Sequence, residues 1–215
     1  DGSLTQSAAG VLSAEHLHIR AADVENSGLV QAKEETILHT AQLKNDATGG
    51  IYGRRINVQA KNGTEEDIAA AALYNSGRII SEMDTTIHAA SVVNKGTLAA
   101  AIAPSGKAND VGTLTIAAKE LSNNGAQLLS GNNLSLSAEN LRTKSGQIAG
   151  NGDVSLTVKN VLDIQDASIQ SGKNLSIEAS AMPLAGNLSA NRDMRLTLHG
   201  SGLSNEAAAE NFGNL

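Results

Sequence analysis

The amino-acid sequence predicts an all-β chain folded as a parallel β-helix, a solenoid of about nine to ten coils. Three observations support this fold class. Apolar and polar residues alternate as in strands, the pattern returns about every 20 residues, and the repeated unit has no stripe of helical period. Units of two or three short strands with tight turns and no crossover helix indicate one coil per repeat.

The clearest repeat unit is 121–138, which reads LSNNGAQLLSGNNLSLSA. In it, Leu121, Asn123 and Gly125 share one alternation phase, and Leu129 follows after a polar gap. The unit closes with a strand in which leucines alternate with serines, so that one face is predicted to be buried. Clusters of Gly and Asn on both sides predict turns.

The closing strand recurs along the chain and gives the period. Six of the eight steps between successive strands are 19 to 21 residues long, and the other two are 29 residues long. The predicted inward pairs are Leu17/Ile19, Thr36/Leu38, Ile56/Val58, Thr85/Ile87, Leu114/Ile116, Leu134/Leu136, Val154/Leu156, Leu175/Ile177 and Met194/Leu196.

Two insertions account for the long steps, at 61–72 and at 101–113. Acidic residues followed by alanines predict a short helical turn in the first. The second contains Pro104 and two glycines, and it is predicted to be a loop. We expect residues 1–215 to form a single β-helix segment cut from a longer solenoid, since Asp1-Gly2-Ser3 resembles an internal start.

A series of asparagines precedes one turn of the repeat. The members share an aliphatic-x-Asn-x-Gly/Ala pattern and are Asn26, Asn45, Asn75, Asn94 and Asn123. The interpretation we favour is a structural ladder, in which stacked amides bond to one another and to the backbone. Ligand or metal binding by the same series is the alternative.

The composition excludes several classes of partner. The net charge of −6 argues against a nucleic-acid backbone, and the absence of cysteine excludes a disulfide scaffold and a thiolate zinc site. We find no apolar run of transmembrane length and expect no transmembrane segment. No cofactor is expected either. Of the histidines, His39 and His88 share an outward column, but Gln59 lies between them, so they are too far apart to hold one ion.

The repeat resembles the haemagglutinin repeats of two-partner-secreted exoproteins, the filamentous haemagglutinin family. The residues that carry the resemblance are Leu43-Lys44-Asn45, Gly50-Ile51-Tyr52-Gly53 and Ile56-x-Val58-x-Ala60. They are similar to the pattern L-x-N-x-G-x-I-Y-G-x-x-I-x-I-x-A of that family. The repeat is also similar to the stalks of contact-dependent growth inhibition toxins, and the likeness covers roughly residues 10–205.

This resemblance implies a right-handed parallel β-helix that is exported and then threaded unfolded through an outer-membrane two-partner secretion transporter. The lack of cysteine suits that route. It also implies a protein secreted to the bacterial cell surface, which acts as an adhesin or holds a receptor-binding region and delivers a toxin.

A contact surface is a further expectation. Tyr52, Arg54 and Arg55 form a small basic-aromatic cluster, which is either an exposed corner or a contact for an acidic glycan. The insertions add charged candidates, namely Glu65, Glu66, Asp67, Lys107 and Asp110.

The sequence is consistent with three hypotheses about function. The main hypothesis is a non-enzymatic structural stalk segment. The second is a module that uses the inserted loops to bind a receptor or glycan. The third is a carbohydrate-active enzyme, disfavoured because aromatic platforms are nearly absent and no catalytic motif is found.

Overall fold

The alternating sequence folds into short strands that stack in parallel. The computed structural model describes residues 2–60, 71–183 and 186–200. These residues contain no helix, and hence none long and apolar enough to cross a membrane. The 18 strands in these three ranges belong to one sheet, and every pairing between them is parallel.

In chain order, the strands are β1 (Leu4–Gln6), β2 (Val11–Asn26), β3 (Leu29–Asn45), β4 (Gly50–Gly53), β5 (Arg55–Gln59), β6 (Ala72–Asn75), β7 (Arg78–Ser81), β8 (Thr85–Asn94), β9 (Thr97–Ala100), β10 (Thr113–Ser122), β11 (Gln127–Ser130), β12 (Asn133–Arg142), β13 (Gln147–Gly150), β14 (Val154–Asp163), β15 (Ser168–Ser171), β16 (Leu175–Ala181), β17 (Asn187–Ala190) and β18 (Met194–Leu198).

From β8 to β17, each coil has a long strand that bends and a short strand that follows, whereas β2 and β3 each run through all the arms of a coil. In β12 the buried residues are Leu134, Leu136 and Ala138, and the next is Leu141. A step of three instead of two reverses the side-chain phase, because successive side chains on a strand point to opposite faces. The chain therefore turns a corner near Glu139. Together with the short strand, the two arms of the bent strand enclose one apolar core.

The predicted period and register are confirmed. All nine predicted inward pairs align with one another, from Leu17 opposite Thr36 to Leu175 opposite Met194. The seven inner pairs are at most 4% exposed, whereas the first and last pairs are half-buried because only one described coil lies against each. At about 4.8 Å per coil, nine coils form a rod about 40 Å long.

The short strands supply a second apolar column with a different phase from the one predicted. Leu128 is fully buried in β11, while Leu129 is half-buried on the other face. Gly125, expected in phase with Leu121 and Asn123, lies exposed in the turn with φ of 65°. Four turn residues separate the two strands, and a turn does not preserve the period of two.

Of the two insertions, only the second is described. Residues 61–70, including the predicted helical turn, lie outside the described residues, and β6 already begins at Ala72. The second insertion is a small hairpin rather than a patternless loop. Ile102 and Ala108 form an antiparallel bridge around a turn in which Gly106 N donates to Ala103 O. We call residues 101–109 the insertion hairpin.

Candidate functional site

The predicted asparagines lie in one buried column, here called the inner ladder. Each is at most 1% exposed. Every side-chain nitrogen donates to the side-chain oxygen on the next coil, at 2.8 Å from Asn26 to Asn45, 2.7 Å from Asn45 to Asn75, 2.8 Å from Asn75 to Asn94 and 2.8 Å from Asn94 to Asn123.

The inner ladder also closes the tight turn of each coil. The Nδ2 of Asn75 donates to the carbonyl of Gly77 in its own turn and to that of Thr97 on the next coil. Both amide hydrogens thus have acceptors inside the protein, which a buried amide requires. A ligand or a metal ion would have to displace these bonds. The described residues contain no group of three His, Asp or Glu side chains that could hold a metal.

The inner ladder changes at both ends. Asn123 Nδ2 donates to Thr143 Oγ1 at 3.2 Å, and the following rung is the buried Ile164. At the other end, Gln6 occupies the rung beside Asn26, but its nitrogen bonds to backbone carbonyls. Gln6 Oε1 is buried and has no hydrogen-bond partner.

A second polar column, which sequence reasoning missed, lies just before the closing strands. We call it the outer ladder, and its members are Asp84, Thr113, Asn133, Asp153, Asn174 and Asp193. Side-chain oxygens here accept backbone N–H groups of the next coil, at 2.9 Å from Asp153 N to Asn133 Oδ1 and at 3.1 Å from Asn174 N to Asp153 Oδ1. The spacing of these residues repeats the steps of the closing strands, a signal that could have revealed them.

The histidine column has the predicted order. His39 pairs with Gln59, and Gln59 pairs with His88 in the register. The Gln59 amide nitrogen contacts His39 Nε2. His39 and His88 are therefore separated by a whole coil and are not brought together.

The basic-aromatic cluster is divided by the fold. Arg54 Nη1 lies 3.0 Å from Glu34 Oε2, and this hydrogen bond holds the pKa of Glu34 below its ordinary value. Arg55 Nε lies 3.7 Å from Asp84 Oδ2. Both arginines are thus paired with carboxylates on neighbouring coils, and of the three residues only Tyr52 remains to line a concave surface.

The insertion hairpin is held against the coil. Ala101 N donates to Met83 O at 2.8 Å, and the Asn109 side chain donates to the carbonyl of Glu82 at 3.1 Å. Lys107 is exposed within the hairpin, where its carbonyl accepts from Ala103 N, and Asp110 is exposed just after it. Glu65, Glu66 and Asp67 lie outside the described residues.

The insertion hairpin and the face of the short strands enclose a groove of about 610 Å³, which we call the hairpin groove. Its volume is within the usual range for small-molecule sites, about 300 to 1,000 Å³. Pro104 and Ile102 line it on the hairpin side. On the sheet side it is lined by Ser13, Gln31, Lys33, Tyr52, Arg78 and Glu82.

Sequence reasoning placed Tyr52 among possible contacts but missed its neighbours in the groove. Gln31 and Ile80 occupy the coils before and after Tyr52 in the same column. The repeat period could have indicated this column. The direction of the insertion hairpin could not be predicted, because it depends on Ala101, a non-glycine residue with φ of 57°.

Comparisons with known proteins bear on the whole repeat. A family model described as haemagglutinin repeat matches residues 1–145 and 141–207. Toxin CdiA of Escherichia coli is 26% identical over 204 residues, which cover 89% of this chain but only 6% of the toxin. No solved structure matches the chain significantly. Since the family matches take in well over half of the sequence, the chain belongs to the haemagglutinin repeat family.

Proposed function

We propose that this chain is a non-enzymatic structural stalk segment of a large bacterial exoprotein, which mediates adhesion or presents a contact-dependent toxin. The unbroken register of the nine closing strands carries this proposal. Coils that repeat in register extend a rod by a fixed increment, and the rod places whatever it carries at a set distance. The similarity to 6% of a toxin's length fits one piece of a long stalk.

The proposal includes a route of export. The partner during export is an outer-membrane two-partner secretion transporter, and the mature protein is secreted to the bacterial cell surface. Family membership supports this route. The chain also has no cysteine, so no disulfide would obstruct passage of the unfolded chain.

Deletion of one complete coil tests the stalk function. Removing residues 134–153 joins Asn133 to Val154, which pairs in register with Leu134, so that the neighbouring coils can restack. In a full-length exoprotein that carries this segment, we expect a filament shorter by about 4.8 Å. Display on the cell surface and contact-dependent activity should both be retained.

The matched control deletes half a coil, residues 134–143, which cannot restore the register. It should abolish folding of the segment, as judged by β-sheet circular dichroism. If the complete-coil deletion is displayed normally but loses adhesion or toxin delivery, the segment is more than a spacer and the proposal is wrong.

A specific observation favours a second candidate function, a binding module for a receptor or glycan. The hairpin groove combines an aromatic ring, cations and hydrogen-bonding groups. Replacing 102–108 with Gly-Gly preserves the turn in which Asn109 N donates to Ala101 O while removing one wall. Loss of binding to target cells, with an unchanged circular dichroism spectrum, would support the module. Replacing 62–69 in the other insertion is the matched control.

A further inference from the structure

We infer that the hairpin groove binds an acidic saccharide, with a carboxylate on Arg78 and a sugar ring on Tyr52. This inference rests on the second candidate function, the binding module, and specifies its site and ligand class.

The floor of the groove is an aromatic ring lying over a glycine. A Cβ placed on Gly50 would lie 2.5 Å from Tyr52 Cε2 and 3.3 Å from the Tyr52 hydroxyl oxygen. The ring therefore fills the space above residue 50, two positions back along the same strand face, and Gly50 is buried beneath it. Such a ring lies along the sheet and offers a platform for the apolar face of a pyranose.

The groove carries more positive than negative charge. Among the described residues, no carboxylate oxygen lies within 4.0 Å of the charged nitrogens of Lys33 or Arg78. With Glu82 as the third charged lining residue, the groove carries a net charge of +1 in a chain of net charge −6. Arg78 pairs with Gly50 in the register, so it stands beside the Tyr52 ring. A planar guanidinium in that place suits a carboxylate.

The remaining polar groups of the groove match hydroxyls. Glu82 offers a carboxylate acceptor, and Gln31 and Ser13, joined by a hydrogen bond of 3.1 Å, offer an amide and a hydroxyl. An acidic sugar presents both kinds of group at once, a carboxylate for Arg78 and hydroxyls for these partners.

The backbone disfavours an extended peptide as the ligand. Peptides that bind β-proteins commonly add a strand to an open sheet edge. Here the floor belongs to β3, β4 and β7, each paired with the next coil. Recognition must therefore come from side chains, which suits a saccharide better than a main chain that needs hydrogen bonds.

Calorimetric titration of the folded chain with tetragalacturonate, at low ionic strength, tests the inference. The fully methyl-esterified tetrasaccharide is the matched ligand, because it keeps the rings and loses the charge. We expect the acid to bind and the ester to bind about tenfold or more weakly, the loss expected for charge-assisted hydrogen bonds.

Three variants address the parts of the site. Arg78→Gln removes the guanidinium, Tyr52→Ser removes the ring, and Gly50→Ala displaces the ring from its place on the sheet. Each should weaken binding about tenfold. The matched controls, Arg195→Gln and Tyr74→Ser, change exposed or half-exposed residues away from the groove and should leave affinity within about twofold. Thermal melts of all five variants establish that they are folded.

Three results would overturn the inference: equal affinity for acid and ester, no effect of the groove variants in folded protein, or equally tight binding of a poly-glutamate peptide. If tetragalacturonate does not bind while the Gly-Gly hairpin variant loses cell binding, the binding module stands and the ligand class is wrong. If both fail, the groove has no binding function.

Discussion

The inner and outer ladders both form hydrogen bonds between neighbouring coils, at two different corners of the solenoid. The inner ladder is buried, and its amides bond both to one another and to turn carbonyls. The outer ladder is partly exposed, and its oxygens accept backbone N–H groups. Each connects neighbouring coils along part of the rod, but water can replace the bonds of only the outer ladder.

This difference predicts unequal energetic roles. A buried polar group that loses its partner keeps the full desolvation cost, about 1 to 3 kcal/mol, whereas an exposed group is rehydrated. The inner ladder should therefore determine which coils can stack, and the outer ladder should only adjust their stability.

Asn75→Ala, in the middle of the inner ladder, should cause the largest loss of stability. It leaves Asn45 Nδ2 and Asn94 Oδ1 without their best partners inside the core and opens a small cavity. We expect a loss of about 3 kcal/mol in the free energy of unfolding, measured by urea denaturation. A loss below about 1 kcal/mol would mean that the buried amides do not stabilise the stack.

Thr143→Val tests the end of the inner ladder with an isosteric change. Asn123 Nδ2 loses Thr143 Oγ1 but retains the carbonyls of Ala126 and Gln147. The expected loss in the free energy of unfolding is therefore smaller, about 1 kcal/mol. Asn123→Ala in the same assay should cost more, and the opposite order would contradict the assigned direction of the bonds.

Asn174→Ala makes the corresponding break in the outer ladder. It removes the 2.9 Å bond from Asn174 Nδ2 to Asp153 and the acceptor for Asp193 N. Because these groups are exposed to water, the free energy of unfolding should fall by no more than about 0.5 kcal/mol in the urea assay used for Asn75→Ala. Equal losses from the two variants would show that burial does not distinguish the ladders.

The smallest effect is expected at the half-buried rim of the inner ladder, at Ser27 and Asp46. Ser27 Oγ donates to Asp46 Oδ2 at 2.8 Å, and this bond holds the pKa of Asp46 below its ordinary value, with help from Lys44. The stabilisation is present above the unfolded-state pKa and is lost as the pH falls through the lower folded-state pKa. Ser27→Ala should raise the pKa of Asp46 in an NMR titration and cause a small loss of stability at neutral pH, which should disappear in acid.

The sequence was sufficient to predict the coils, because the pairs that begin with Thr36 and Val154 obey a period that a parallel stack must keep. It also predicted the asparagine column. The phase of Leu128 could not be predicted, since a turn of unknown shape precedes it.

The groove shows a second limit of sequence reasoning. It joins Ser13, Tyr52 and Pro104, which come from separate coils and from the insertion hairpin. No local pattern connects such residues. Their proximity follows from the register together with the left-handed backbone of Ala101. That conformation is uncommon for alanine and could not be predicted from the sequence.

The common direction of the inner-ladder bonds has a mechanical consequence. Bonds between coils lie along the axis of the rod, so a pulling force passes through them in series and the weakest connection fails first. One connection without such a side-chain bond is the one beyond Thr143, where the rung is Ile164 and the line of side-chain donors ends. In optical-tweezer experiments, the coils after residue 146 should therefore detach before those that contain the asparagines. Simultaneous rupture of all coils would contradict this order.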